Sequence, residues 1–358
     1  MLVSGRCCDV YVLELVGQDD RFAVAEATTA ASDVTPIAAG LATARGLDNG
    51  FETLAFTHRA AELIGTTDTA LDSAAMLLEA ASIDRDGSVA VRARDVRSTT
   101  GIDTQAAERH LGQVLVDRGF EVDLEDPDYE LQALFADVDD ASAVDTDPDM
   151  EGIAPETSDN GGLCALGWLA SETDRDFTDR QPTDRPFFQP GSMDPGLARA
   201  LVNLAGAGPE VTVLDPMCGT GGLLLEAGRV GATPVGGDAQ RKMVQGTGEN
   251  LRALLDGQWH VYRGDAGRVP LADDSVDAVV FDAPYGRQSK IEGDLETLVA
   301  DALAEARRVA ARAVVVGDRP WDDAAESVGW TVESTFQRRV HRSLVRHVAI
   351  LQSRTDGV

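Results

Sequence analysis

Residues 211–226 read V-T-V-L-D-P-M-C-G-T-G-G-L-L-L-E, an apolar run that passes through a glycine turn into a second apolar run. Gly219, Gly221 and Gly222 let the backbone approach a ligand with no Cβ in the way, and a helix starting there would turn free N–H groups toward it. The chemistry implied is capture of a nucleotide-like cofactor, with Asp215, Cys218, Gly219, Thr220 and Gly221 as candidate contacts. The dinucleotide fingerprint would need Gly or Ala where Leu224 stands, and no Walker lysine follows. After the next apolar run Gly237 leads into Asp238, a carboxylate that can accept both hydroxyls of a ribose. A third run ends in Gly264-Asp265-Ala266, suited to an adenine amino group. A single loop Asp is a common turn former. Three at successive strand ends favour S-adenosylmethionine.

A fourth run, V-D-A-V-V-F, ends in Asp282-Ala283-Pro284-Tyr285-Gly286. It resembles the D-P-P-Y motif of methyltransferases that modify exocyclic amino groups of bases. Such an amine is a poor nucleophile because its lone pair is delocalised into the ring, so it must be positioned and polarised toward the methyl donor. The Asp282 carboxylate and the Ala283 carbonyl can each accept one N–H, and Tyr285 offers a flat face on which an extruded base can stack, so Asp282, Ala283, Pro284 and Tyr285 are the candidate catalytic segment. Ala283 departs from the commonest motif, but the group required there is a backbone carbonyl. Without that role the segment is a strand-end turn with a structural Tyr.

The elements that must position these residues follow from periodicity. Strands at Val211–Asp215, Pro234–Asp238, His260–Gly264, Val276–Asp282 and Ala313–Asp318 alternate with helices at Leu223–Val230, Arg241–Leu255, Leu295–Ala310 and near Trp321. That alternation predicts a Rossmann-like, mainly parallel α/β sheet. Thr331–His341 and Ser343–Leu351 close it with an antiparallel hairpin. Arg338, Arg339, His341, Arg342 and Arg346 make that hairpin locally basic, either to bind phosphate, with Arg339 and Arg342 as candidates, or to neutralise nearby carboxylates.

Upstream, Val10–Val16 reads as a strand, Ala60–Ile64 as helical, Leu71–Ile83 as a helix, Val89–Val96 as a strand, Gln105–Arg118 as a helix ended by Gly119, and Tyr129–Ala136 as a strand. Arg92 and Arg94 share one strand face opposite Val89, Val91 and Ala93, where they either contact phosphates or form a solvated face. The acidic, Ser/Gly/Pro-rich stretch 137–162 reads as a loop or insertion. The expected division is an α+β domain over 1–70, a second over 71–166, a linker at 167–190, and a catalytic domain over 191–358.

Composition sets the setting. The 358 residues carry a net charge of −30, the acid is spread along the chain, and Lys242 and Lys290 are the sole lysines. Dispersed Asp with Arg as the base suits a salt-accumulating halophile, so acidity reports habitat more than partner. No long apolar run or signal-like start is present, which predicts a cytoplasmic protein without a membrane partner. Cys7, Cys8, Cys164 and Cys218 form no C-x-x-C pair, so neither metal nor disulfide is expected. A monomer is the working expectation.

The whole chain resembles the archaeal tRNA guanine-N2 methyltransferases that act on guanosine at position ten. R-P-F-F-Q-P-G-S-M-D-P, the glycine turn with D-A-P-Y-G, and the stretches V-A-V-R-A-R, Glu108–Leu115 and E-V-D-L-E-D-P-D carry the resemblance. It implies an N-terminal ferredoxin-like domain, a THUMP domain that grips tRNA, and Phe187, Phe188 and Gln189 closing over the cofactor. The alternatives are an amino-methyltransferase acting on another RNA or on DNA, and a non-catalytic tRNA-binding protein that keeps the cofactor fold.

Overall fold

The computed structural model describes residues 10–138, 161–285, 292–342 and 344–353. Cys7, Cys8, Gly286, Lys290, Ser343 and most of the acidic stretch fall outside them. Two compact units divide the chain at Asp174/Arg175, ahead of the boundary expected at 190. Among the described residues no helix is long and apolar enough to cross a membrane.

The first unit comprises β1 (Tyr11–Leu15), α1 (Asp20–Ala27), β2 (Thr35–Ala38), β3 (Leu41–Ala44), β4 (Thr57–Thr67), α2 (Leu71–Ala80), β5 (Ser88–Asp95), α3 (Thr104–Asp117), β6 (Glu121–Val122), β7 (Tyr129–Asp137) and β8 (Gly162–Glu172). All eight strands share one sheet in the order β2-β3-β1-β4-β8-β7-β5-β6. The domain boundary expected at residue 70 therefore separates strands that belong to one continuous sheet. α3 starts where Asp103 caps the Ala106 N–H at 3.0 Å and stops at Gly119, whose φ of 98° lies in the left-handed region. Its Ala107, Leu111 and Leu115 stripe packs on Val89, Val91 and Ala93 of β5.

Two expectations fail here. Ala60–Ile64 is not helical: it lies in β4, paired to β1 on one side and β8 on the other. The linker expected from 167 begins inside β8, which pairs with both β4 and β7. Central strands covered on both faces lose the apolar/polar alternation that marks a strand in sequence. Ala60 with Ala61, and Leu163 through Leu166, are buried without alternation for that reason.

The second unit contains α4 (Pro195–Leu204), β9 (Thr212–Asp215), α5 (Gly222–Arg229), β10 (Thr233–Asp238), α6 (Arg241–Leu254), β11 (His260–Arg263), β12 (Ala278–Asp282), α7 (Glu292–Val309), β13 (Arg312–Gly317), α8 (Asp322–Ser327), β14 (Trp330–His341) and β15 (Leu344–Ser353). The sheet order is β11-β10-β9-β12-β13-β15-β14. Its first five strands are parallel, and β15 and β14 close it antiparallel. This is the Rossmann-like sheet with a terminal hairpin that the periodicity predicts. α7 buries Leu295, Val299, Ala302, Leu303 and Ala306, one helical stripe, against Val279, Phe281 and Val315 of the sheet. β9 has β10 on one side and β12 on the other, so the strand order reverses there and a crevice opens beyond the C-terminal ends of β9 and β12, where such sheets bind ligands.

Residues 175–190 belong to this unit for an electrostatic reason. The Glu226 carboxylate on α5 is fully buried and accepts Arg180 Nε at 2.7 Å, Arg180 Nη2 at 3.0 Å and Arg199 Nη2 at 2.9 Å. A buried carboxylate without such partners would cost several kcal/mol, on the order of 3 to 5 when one partner is removed.

Candidate active site

Asp215 ends β9 and turns its carboxylate back to accept the Met217 N–H at 3.0 Å. The chain then tightens: Gly221 N–H donates to the Cys218 carbonyl at 2.7 Å, with Gly219 at φ 52° and Gly221 at φ 81°. A Cβ on Gly221 would stand 2.8 Å from Thr247 Cγ2, so glycine is required there for space as well as for backbone angle. α6 holds the turn from outside. Thr247 Oγ1 donates to the Gly219 carbonyl at 2.7 Å, and Asn250 Nδ2 donates to the Thr220 carbonyl at 2.9 Å. Asn250 also exchanges two 2.8 Å hydrogen bonds with the Phe187 backbone, which ties the 187–189 strap to the same helix.

A cavity of ≈ 220 Å³ lies over this turn. Asp215, Met217, Cys218, Gly219, Thr220 and Gly222 form its floor, Gln189 to Met193 one wall, and Met243, Leu223 and Asp282 the rest. Burial pushes the Asp215 carboxyl well above the usual carboxylate range, and the nearby Asp282 and Asp238 carboxylates push it further. Carboxylates that raise one another favour a cationic guest, because a positive charge among them relieves the repulsion and restores the ionised forms. A sulfonium with an ammonium group fits that demand. The Cys218 thiol is buried and pushed up by burial, so it is a packing group and not a nucleophile.

At the end of β12 Asp282 opens onto the cavity and takes part in a three-residue network. The Tyr285 hydroxyl donates to Asp282 Oδ1 at 2.8 Å, Arg346 Nε donates to the Tyr285 oxygen at 2.8 Å, and Arg346 Nη2 lies 3.5 Å from Asp282 Oδ2. Burial raises the Asp282 carboxyl, and Arg346 with the Tyr285 hydroxyl opposes that rise. The arrangement is a carboxylate backed by a phenol and a guanidinium at the mouth of the cavity, a hydrogen-bond acceptor facing whatever enters it.

The RMKL-like methyltransferase domain of UPF0020 matches residues 182–347. The tRNA (guanine(10)-N2)-dimethyltransferase of Methanothermobacter thermautotrophicus is 33% identical over 306 residues, covering 84% of this chain and 83% of that enzyme. The chain belongs to the tRNA (guanine(10)-N2)-dimethyltransferase family. The enzyme of the same name from Pyrococcus abyssi is 35% identical over 185 residues, 50% of this chain and 56% of its own. Among solved structures, TrmN from Thermus thermophilus aligns over 96% of this chain and 100% of its own at 19% identity and a TM-score of 0.49, which adds nothing to the topology described above. Family membership makes the protein an S-adenosylmethionine-dependent methyltransferase. That cofactor supplies an electrophilic methyl group when bound, and the glycine turn and flanking carboxylates are the groups that would hold it.

Within this family frame the expected site residues divide. Asp215, Cys218, Gly219, Thr220, Asp282 and Gln189 line the cavity. Asp238 lies behind it, accepting the N–H groups of Gly219 at 3.2 Å and Gln240 at 2.8 Å, so it buttresses the turn. Asp265 caps the Gly267 N–H at 3.0 Å, and Ala266 is packed in the core cluster under α7. Phe187 packs over Gly246 of α6 rather than over the cavity, with Lys242 Nζ 5.6 Å from its ring, and Phe188 is 40% exposed. Ala283 is buried with its N–H on the Val316 carbonyl at 2.7 Å, and Pro284 is exposed.

The expected RNA contacts divide too. Arg92 is 3.2 Å from Glu130 and Arg94 3.4 Å from Glu14, both within the first unit and both part-exposed. Arg339 and Arg342 are exposed near the tip of the hairpin. Sequence reasoning missed Ser192, whose hydroxyl is 3.1 Å from Thr220 Oγ1, and Met193, although both stand in R-P-F-F-Q-P-G-S-M-D-P. Arg346, named in the sequence only as one arginine of the basic hairpin, takes the carboxylate-neutralising alternative and stands against Asp282. Among the described residues no group of three His, Cys, Asp or Glu could hold a metal ion.

Proposed function

We propose that the chain transfers a methyl group from S-adenosylmethionine to the exocyclic N2 amine of a guanosine in tRNA, at position ten as in the names of its relatives. The single observation that carries this reading is the Asp282 carboxylate at the end of β12, charged, backed by Tyr285 and Arg346, and facing the cavity above the glycine turn. Asp282 accepts one N–H of the target amine and the Ala283 carbonyl the other, while the base, extruded from its stack, lies against Tyr285. Gln189, Ser192 and the Thr220 turn hold the cofactor, with Asp238 and Asp265 shaping the loops that meet its nucleoside half. Phe187 keeps the strap against α6.

The first unit serves as the RNA-docking half, a THUMP-like module with a ferredoxin-like start, in the cytoplasm of a halophile. Arg339 and Arg342 make phosphate contacts. Arg92 and Arg94 join only by exchanging a carboxylate for a phosphate. High salt weakens counterion release, so binding leans on shape, stacking and hydrogen bonds. Nucleoside mass spectrometry of unmodified tRNA treated with the purified protein at high salt tests the proposal. Appearance of N2-methyl- or N2,N2-dimethylguanosine supports it; methylation confined to another RNA or to DNA, or none, refutes it.

A further inference from the structure

The hairpin that closes the catalytic sheet carries a buried charge whose place is fixed by topology. β15 runs antiparallel to β13, with Val316 opposite Val348 and Gly317 opposite His347, so the start of β15 lies at the C-terminal end of the parallel strands. β12 is in register with β13, Asp282 opposite Val316. Arg346, two residues before Val348 and on the same strand face, thereby reaches the end of β12 across the intervening strand. It is 3% exposed, far below what a free guanidinium adopts.

Arg346 has no acceptor capacity, so its Nε–H toward Tyr285 makes the phenol oxygen the acceptor in that contact. The phenol has one proton, and its remaining short contacts are Asp282 Oδ1 at 2.8 Å and Oδ2 at 3.1 Å. The direction of the whole chain is set: Arg346 donates to Tyr285, and Tyr285 donates to Asp282. Other charges facing Asp282 oppose its ionisation. Asp318, beyond the end of β13, adds like charge, and Asp282 in turn raises Asp215 at the end of β9. Arg346 is the cation among the described groups that act on it.

We propose that Arg346 is a positioning residue for methyl transfer: it fixes the direction of the Tyr285 hydroxyl proton and supplies the counter-charge to the Asp282 carboxylate that receives the target amine. It touches neither base nor methyl group and acts through Asp282 and Tyr285. The terminal hairpin is therefore part of the active site and not only the closing edge of the sheet. This inference rests on the amine-acceptor role of Asp282.

The test has two readouts. Single-turnover methylation is followed between about pH 5.5 and pH 9 for wild type, Arg346→Met, Arg346→Lys and Tyr285→Phe. Loss of the counter-charge should move the acid limb of Arg346→Met upward by about one to three pH units. Arg346→Lys should recover part of that shift, Tyr285→Phe should move the limb the same way by less, and affinity for S-adenosylhomocysteine should hold within about twofold of wild type. The second readout needs no substrate. Thermal melting of Arg346→Met should fall more at about pH 8 than at about pH 5, because stability is lost as pH rises through the raised folded-state pKa of Asp282, and Asp282→Asn in the same background should remove that pH dependence. A wild-type limb in Arg346→Met, or a melting loss that Asp282→Asn does not relieve at any pH, would overturn the proposal. Absence of guanosine methylation by the wild type with the melting cycle intact would instead overturn the functional reading and leave the Arg346–Asp282 link standing.

Discussion

Asp215 is a buried and Asp282 a half-buried carboxylate, both pushed upward, yet the site uses them differently. Asp282 is backed by Tyr285 and Arg346, which oppose the rise that burial imposes. Replacing it with Asn preserves shape and removes charge; single-turnover methylation should fall on the order of a hundredfold or more while cofactor affinity barely changes. Tyr285→Ala should weaken capture of the extruded base by about 1 to 3 kcal/mol if stacking dominates, seen as a higher KM for RNA. Asp215 is pushed up by burial and by the Asp282 and Asp238 carboxylates, so its folded pKa lies well above its unfolded one. The sign follows: the protonated carboxyl is favoured by folding, so stability present at low pH is lost as pH rises through the folded pKa. Asp215→Asn should therefore raise the melting temperature more at about pH 8 than at about pH 5, and at the same time weaken binding of the cationic cofactor. A uniform rise at both pH values would show that its charge is not what strains the fold. The aspartates at strand ends were legible in sequence because strand ends in this fold are ligand positions. Their division into Asp215 and Asp282 at the cavity and Asp238 and Asp265 in turns was not, because that depends on where each loop folds back.

Helix α6 is the element on which the cofactor side of the site depends. Its Thr247 and Asn250, about one and two turns past the cavity-lining Met243 on the same helix, hold the glycine turn and the Phe187 strap together. Asn250→Ala would leave the Phe187 N–H and carbonyl and the Thr220 carbonyl without their partner. Leaving buried polar groups unpaired costs about 1 to 3 kcal/mol each, so cofactor affinity should drop about tenfold or more by calorimetry. If affinity is unchanged, the strap and turn are held by other contacts. The alternation of strand and helix in the second unit was readable because amphipathic helices flank a sheet whose strands are short apolar runs. β8 and the middle of β4 were not, since strands buried on both faces read like any apolar segment.

For the whole molecule the sequence predicts a linker over 167–190 and a catalytic domain from 191, and the structure divides the chain at Asp174/Arg175. The reason is Glu226. A fragment beginning at Arg175 should fold and bind S-adenosylhomocysteine, yet lose most tRNA affinity. One beginning at 191 lacks Arg180 and leaves Glu226 with Arg199 alone, which should cost on the order of 3 to 5 kcal/mol in chemical denaturation. Equal stability of the two fragments would place the boundary back at 190. Equal tRNA methylation by the Arg175 fragment and the full chain would remove the docking role from the first unit.

Sequence alone determined the nature of the chemistry: glycines where backbone must approach a ligand, a Leu that breaks the dinucleotide pattern, and an Asp-Ala-Pro-Tyr turn after an apolar strand. Those signals are local, since strand, turn and helix start lie within about twenty residues of one another. What supports that chemistry was decided by tertiary structure. Arg346 lies 64 positions after Asp282 and reaches it only because the hairpin returns antiparallel beside β13. Asn250 reaches Phe187 because α6 packs where the strap crosses. Charge complementarity across such separations leaves no periodic trace in a chain, because it is set by sheet order and register, and both are fixed by packing.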